Sequence, residues 1–177
     1  MNKTIELIPY RPEYLAQVAQ AIREMLTTPP LYETVSLNDV ISQLNADQGR
    51  ESFGGLLAVD EREQVIGGMW WFGLDGLGLH ERWKPRFTPR EAIPMPNGRG
   101  IYIASMGMIP SVRNRGLGKY MLSAALSTLE LESDWIATVA YRTHSASLAV
   151  LHSQGFVTLP LESTQGQSKV ALIKHTR

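Results

Sequence analysis

Three residues at fixed spacing, Arg113, Gly116 and Gly118, carry the clearest chemical meaning in the sequence. They lie in PSVRNRGLGKY, after the apolar run Ile101–Pro110 and before MLSAALSTLEL, which reads as a helix. A turn of this kind presents backbone N–H groups at a helix start, where the dipole favours negative charge. Its glycines let a ligand approach the backbone with no Cβ in the way. The chemistry is that of a pyrophosphate cradle. The plainer alternative is a tight strand–helix turn that needs glycine for steric reasons alone. By composition the pattern is weak, since with Gly near ~7% of residues and Arg or Gln at the first position together roughly 9%, a chain this size matches it by accident about one time in twelve. Two other phosphate motifs fail. A P-loop needs Gly where Arg113 stands and Ser or Thr where Tyr120 stands, and the dinucleotide fingerprint needs a third Gly where Met121 stands.

The elements that would hold this turn follow from periodicity. Lys3–Pro9 alternates weakly as a first strand. From Pro12 onward, Tyr14, Leu15, Val18, Ile22, Met25 and Leu26 recur at helical spacing until Thr27-Thr28-Pro29-Pro30. Ser36 suits the N-cap of a second helix bearing Val40, Ile41 and Leu44. Phe53–Val59 and Gln64–Phe72 read as a hairpin, with Gly67-Gly68 marking a bulge or close approach. Residues 73–100 are crowded with Gly and Pro and read as one long loop. After the cradle helix, whose polar stripe is Lys119, Ser123, Ser127 and Glu130, come a strand Trp135–Tyr141 and a helix Ser145–Ser153. Strands Phe156–Leu161 and Lys169–Lys174 close the chain, joined by the turn-like STQGQS. The order is β-α-α-β-β-β-α-β-α-β-β, within one domain over residues 1–177.

Composition limits the partners. The 177 residues carry 17 Lys+Arg and 17 Asp+Glu, so no overall charge draws nucleic acid or membrane. With 44% apolar and 19% charged residues the chain is globular in character. There is no cysteine, hence no disulfide, thiolate metal site or Cys nucleophile, and this fits a reducing compartment. No apolar run approaches ~18 residues. The expectation is a cytoplasmic protein with no metal.

The cradle and the order of elements resemble the GNAT superfamily of N-acyltransferases, whose core is a strand, then [RQ]-x-x-G-x-[GA], then a helix. The resemblance implies an α/β fold with a mixed, mostly antiparallel sheet of about seven strands and about four helices. It implies acetyl-CoA as co-substrate, with backbone N–H groups of Arg113, Asn114, Arg115, Gly116, Leu117, Gly118 and Lys119 around the pyrophosphate. Met108 and Ile109 would bond the pantetheine arm through their main chain, and the N–H of Met108 would polarise the thioester carbonyl. A second family segment corresponds to Ser145–Phe156, which brings His144 and Ser147 toward the coenzyme. The implied reaction is acetyl transfer to an amine of a small molecule or protein, by direct attack in a ternary complex. The alternative is a non-catalytic acyl-CoA-binding or sensing domain of the same fold.

Two departures from the family pattern bear on that choice. The Tyr that protonates the departing thiolate in many relatives falls on Leu151, and the Asn that contacts the pantetheine falls on His144. Leucine donates no proton, so another group such as Tyr141 acts as the acid or the thiolate leaves unassisted, being a good leaving group. The Glu that serves some relatives as base falls near Tyr102. An alkyl amine of pKa near 10.4 is neutral in only about 1 molecule of 2500 at pH 7, a handicap of roughly 4.6 kcal/mol that a base would relieve. Candidates are His80, Glu81, Glu33 and His144. In the long loop, Arg82, Lys84, Arg86 and Arg90 interleave with Trp83 and Phe87, which suits an anionic acceptor or, against the neutral net charge, nucleic acid. The bland reading is an excursion anchored by its aromatics. Of Trp70 and Trp71, which face opposite sides of a strand, at most one belongs to the core. A homodimer is compatible with the sequence, which does not fix the oligomeric state.

Overall fold

The computed structural model describes residues 5–164 and 169–176, so Lys3, Thr4 and most of the STQGQS turn lie outside the described residues. Two compact units emerge, Met1–Phe72 with Ala104–Ala125 and Gly73–Ile103 with Leu126–Arg177.

In the first unit, strand β1 (Glu6–Pro9) is followed by helices α1 (Leu15–Thr27) and α2 (Leu37–Gln48) and by the hairpin β2 (Gly54–Val59) and β3 (Val65–Leu74). Pro12 opens a single 3-10 turn that leads into α1. Ser36 caps α2 in a capping box: its hydroxyl accepts from the Asp39 N–H at 3.1 Å, and Asp39 accepts from the Ser36 N–H at 2.9 Å. Val18, Ala19, Ile22 and Met25 of α1 pack with Val40 and Leu44 of α2 against Leu57, Val59, Val65 and Trp70. Trp70 is the core member of the tryptophan pair. Its indole N–H donates to Asp47, fully buried on α2, at 3.0 Å, while Trp71 is half-buried. Gly67 is a close-approach glycine, for a Cβ there would lie 2.3 Å from the sulfur of Met108, and the β2–β3 register shifts opposite it at Ala58/Val59.

The stretch expected as a featureless loop contains helix α3 (Gly76–Trp83) and the two-residue strand β4 (Phe87–Thr88), which makes five α-helices among the described residues. Asp75 caps α3 by accepting from the Gly78 N–H at 2.7 Å, and Leu79 and Trp83, four residues apart, are both fully buried. Gly76 and Gly78 disguise this helix, because glycine disfavours helical backbone. Gly76 is required nonetheless, since a Cβ would sit 2.3 Å from the Pro96 carbonyl oxygen.

Strand β5 (Gly100–Met108) and helix α4 (Leu117–Glu132) each begin in one unit and end in the other, and they precede β6 (Trp135–Tyr141) and α5 (Ser145–Ser153). The expected strand Phe156–Leu161 is reduced to β7 (Val157–Thr158); β8 (Glu162–Ser163) instead pairs with β4, and β9 (Lys169–His175) completes the chain. The main sheet has seven strands in the order β1-β2-β3-β5-β6-β9-β7. The β1–β2, β2–β3, β6–β9 and β7–β9 pairs are antiparallel, and β5–β6 is parallel. Among the described residues no helix is long and apolar enough to cross a membrane.

Candidate active site

The cradle is built from backbone. After β5, a 3-10 turn over Pro110–Val112 leads to Arg113, and α4 begins at Leu117. Asn114 (φ 60°) and Gly116 (φ 78°) are left-handed on either side of Arg115, whose φ is negative. Such alternation turns successive N–H groups toward one concavity that accepts an anion. The Tyr120 N–H donates to the Gly116 carbonyl at 3.0 Å. The N–H groups of Leu117, Gly118 and Lys119 precede it and have no intrahelical acceptor.

The surroundings of the two glycines are open. A Cβ built on Gly116 or on Gly118 meets nothing within 4 Å. The backbone demands glycine at 116, where φ is positive. At 118 neither φ nor any neighbour demands it, although glycine weakens a helix relative to alanine. The open space beside Gly118 is therefore what a phosphate group would use.

Arg113 has a second function that no sequence spacing announces. Its Nε donates to the Met108 carbonyl at 3.1 Å, one terminal nitrogen donates to Met25 O at 3.2 Å, and the other donates to Pro29 O. The guanidinium thereby ties the end of β5 to the last turn of α1. Burial lowers its pKa from the usual value, with Glu24 pulling the other way. The Arg113 N–H makes a long bond, 3.3 Å, to Pro110 O. Ile109 donates its N–H to Ile66 O at 2.9 Å and accepts from Val112 at 3.2 Å. Met108 is buried, with its carbonyl engaged by Arg113. Arg115 is exposed and donates back to the Ser111 carbonyl at 3.3 Å.

In the second unit, the β5–β6 ladder runs from Gly100↔Trp135 to Ile103↔Thr138. The Thr138 hydroxyl, buried, donates to the Ile103 carbonyl at 3.0 Å where that ladder ends. Tyr141, at the end of β6, is half-buried with the Lys169 ammonium 4.8 Å from its ring centre. His144 stands at the start of α5, and its Nδ1 is 2.8 Å from the Ser147 hydroxyl, so these two expected coenzyme contacts are partners of each other. Leu151 is core, 3% exposed, and Tyr102 is core, 2% exposed, beneath the Arg82 guanidinium at 4.5 Å. Leu151 has no proton to give, and Tyr102 is no carboxylate. Glu81 is exposed and paired with Lys84 at 3.5 Å, and His80 lies 3.4 Å from Ile93 O. Trp83 and Phe87 are fully buried and meet edge-to-face at 6.0 Å. They anchor the α3 segment and present no stacking surface to a base.

No family model matches the sequence, and no curated protein matches it. Solved structures do. A GNAT superfamily phosphinothricin acetyltransferase from Sinorhizobium meliloti, solved with acetyl-CoA, matches with a TM-score of 0.68 at 16% identity, over 99% of this chain and 89% of that one. The PaiA N-acetyltransferase from Thermoplasma acidophilum, solved with coenzyme A, matches with a TM-score of 0.65 at 14% identity, over 97% and 99% of the two chains. An acetyltransferase of the GNAT family from Staphylococcus aureus gives 0.67 at 13% identity, over 98% and 100%. At these identities the likeness is one of fold, and the fold of this chain is that of the GNAT acetyltransferases.

Proposed function

We propose that the protein is an acyltransferase that moves the acetyl group of acetyl-CoA to an amine by direct attack in a ternary complex. The observation that carries this reading is the open space at Gly116 and Gly118, where beyond the local backbone no atom stands within 4 Å of either would-be Cβ. The N–H groups from Asn114 through Lys119 would bind the pyrophosphate, with the α4 dipole behind them. The Met108 carbonyl already accepts from Arg113. Its N–H is the group that would polarise the thioester carbonyl, and a fixed donor of this kind stabilises charge only as the reaction develops it. His144 and Ser147 would reach the coenzyme from α5, and Tyr141 would donate to the leaving sulfur. Acetyl-CoA supplies an activated acetyl group on a good leaving thiolate. The chain supplies orientation and donors in a single active domain. An anionic group on the acceptor would find Arg86 and Arg90 beside α3.

The second reading, a non-catalytic acyl-CoA-binding domain, has a specific observation in its favour. Leu151 and Tyr102, at the positions where relatives keep acid and base, are both in the core. Free CoA thiol released from acetyl-CoA, measured across a panel of alkyl amines, arylamines, amino acids and peptides, separates the two. Acyl transfer predicts release above the amine-free rate with at least one acceptor class. Acetyl-CoA binding with no release across the panel favours the second reading.

A further inference from the structure

The loop between α1 and α2 holds a carboxylate whose environment calls for a ligand. Glu33 Oε1 is buried and has no hydrogen-bond partner among the described residues. A carboxylate oxygen taken out of water without a donor is costly, so the arrangement makes sense if a donor arrives. The Glu33 main chain is fixed, since its N–H donates to the Leu26 carbonyl at 2.8 Å. The neighbouring carbonyl, that of Met25, accepts from Arg113, and Arg113 also donates to Met108. Gly107 lies directly on the same turn, for a Cβ there would be 1.6 Å from the Met25 sulfur. One helical turn therefore anchors Glu33 and touches the end of β5. Before Glu33 comes Tyr32, left-handed at φ 49° and 70% exposed. A bulky residue holds that conformation only where its surroundings impose it, and such residues gather at functional sites. An exposed aromatic ring one residue before a carboxylate supplies two groups that each attract an ammonium.

We infer that Glu33 is the general base of the reaction and that the acceptor is an alkyl amine arriving as its ammonium. This rests on the reading of Met108 as the donor to the thioester carbonyl. The ammonium N–H donates to Glu33 and passes it one proton. The neutral nitrogen then forms the C–N bond to the acetyl carbon as the C–S bond breaks with its electron pair on sulfur. The second nitrogen proton ends on the thiolate, and Glu33 returns its proton to solvent. The products are the acetamide, CoA thiol and one proton.

The test compares Glu33→Gln and Glu33→Asp with the wild type on two acceptors at neutral pH, a primary alkyl amine and an arylamine that is already neutral there. Glu33→Gln is isosteric, and its thermal midpoint and acetyl-CoA affinity are measured alongside. The expected result is a loss of about 10²–10³-fold in kcat/KM for the alkyl amine. The arylamine should lose no more than about threefold, and Glu33→Asp should recover part of the alkyl-amine rate. Acetyl-CoA affinity should be unchanged. Equal losses on both acceptors, or no loss on either, would overturn the assignment while leaving acetyl transfer in place. Failure of acetyl transfer itself shows earlier and differently, as a wild type that releases CoA with neither amine, and that outcome removes both.

Discussion

Arg113 shows how one residue serves the fold and the site at once. Its backbone opens the stretch proposed as the cradle, and its side chain reaches across 84 and 88 positions of sequence to Pro29 and Met25. A planar fork with several donors can bridge three carbonyls, whereas an ammonium is a point donor. Arg113→Ala leaves the carbonyls of Met25, Pro29 and Met108 without that donor and should cost about 1–3 kcal/mol of stability. Arg113→Lys should fall between. Urea unfolding of the three proteins checks this, and an Arg113→Ala protein as stable as the wild type would contradict the clamp. The motif itself was legible because its meaning is local: Arg113 to Gly118 are consecutive, and Gly116 is left-handed as its residue type suggests. The clamp was not legible, since nothing in the spacing of the motif says where a long side chain will go.

At the scale of elements, legibility followed apolar periodicity and capping. α1 and α2 were readable because Val18, Ile22 and Met25 recur on one face and Ser36 opens the next helix. α3 was missed because Gly76 and Gly78 carry no helical signal, while its two core contacts, Leu79 and Trp83, are too few to show a period. The end of the chain was misjudged for another reason. Phe156–Leu161 has strand composition, but the chain leaves β9 after Leu159, whose N–H donates to Ala171, and pairs β8 with β4 instead, a tertiary choice no local pattern contains. The α2 capping box gives a prediction with a definite sign. The Ser36 hydroxyl and N–H hold the Asp39 carboxyl below its ordinary value of 3.8. A depressed folded-state pKa contributes stability that is present above the unfolded value and lost as pH falls through the folded one. Hydrogen-exchange protection at the first turn of α2, corrected for the intrinsic pH dependence of exchange, should therefore hold from neutrality down to about pH 4 and fall below it. Ser36→Ala should remove that acid-sensitive step; the same step persisting in the variant would contradict the assignment.

For the whole molecule, the residues proposed for the donor half of the chemistry are consecutive in sequence, and those proposed for the acceptor half are scattered. The donor site is a run of backbone between one strand and one helix. The acceptor side, as inferred, depends on Glu33, Leu26, Met25 and Arg113 meeting near Met108, a set drawn together only by folding. The expected base and acid positions, Tyr102 and Leu151, are packed in the core of the second unit, so the proposed chemistry is assigned to other residues. The central claim is that the concavity at Gly116 and Gly118 holds acetyl-CoA, and thermal unfolding of wild type and Gly118→Leu with and without acetyl-CoA tests it most directly. Leucine fits the open space at 118 and is the better helix former, so the ligand-free variant should melt no lower than the wild type. At a hundredfold excess over Kd, binding stabilises the wild type by about 2.7 kcal/mol, which raises Tm by about 5–10 °C for a chain of this size. The account predicts that shift in the wild type and its loss in Gly118→Leu. A wild-type midpoint unmoved by acetyl-CoA, or a full shift retained in the variant, would contradict it.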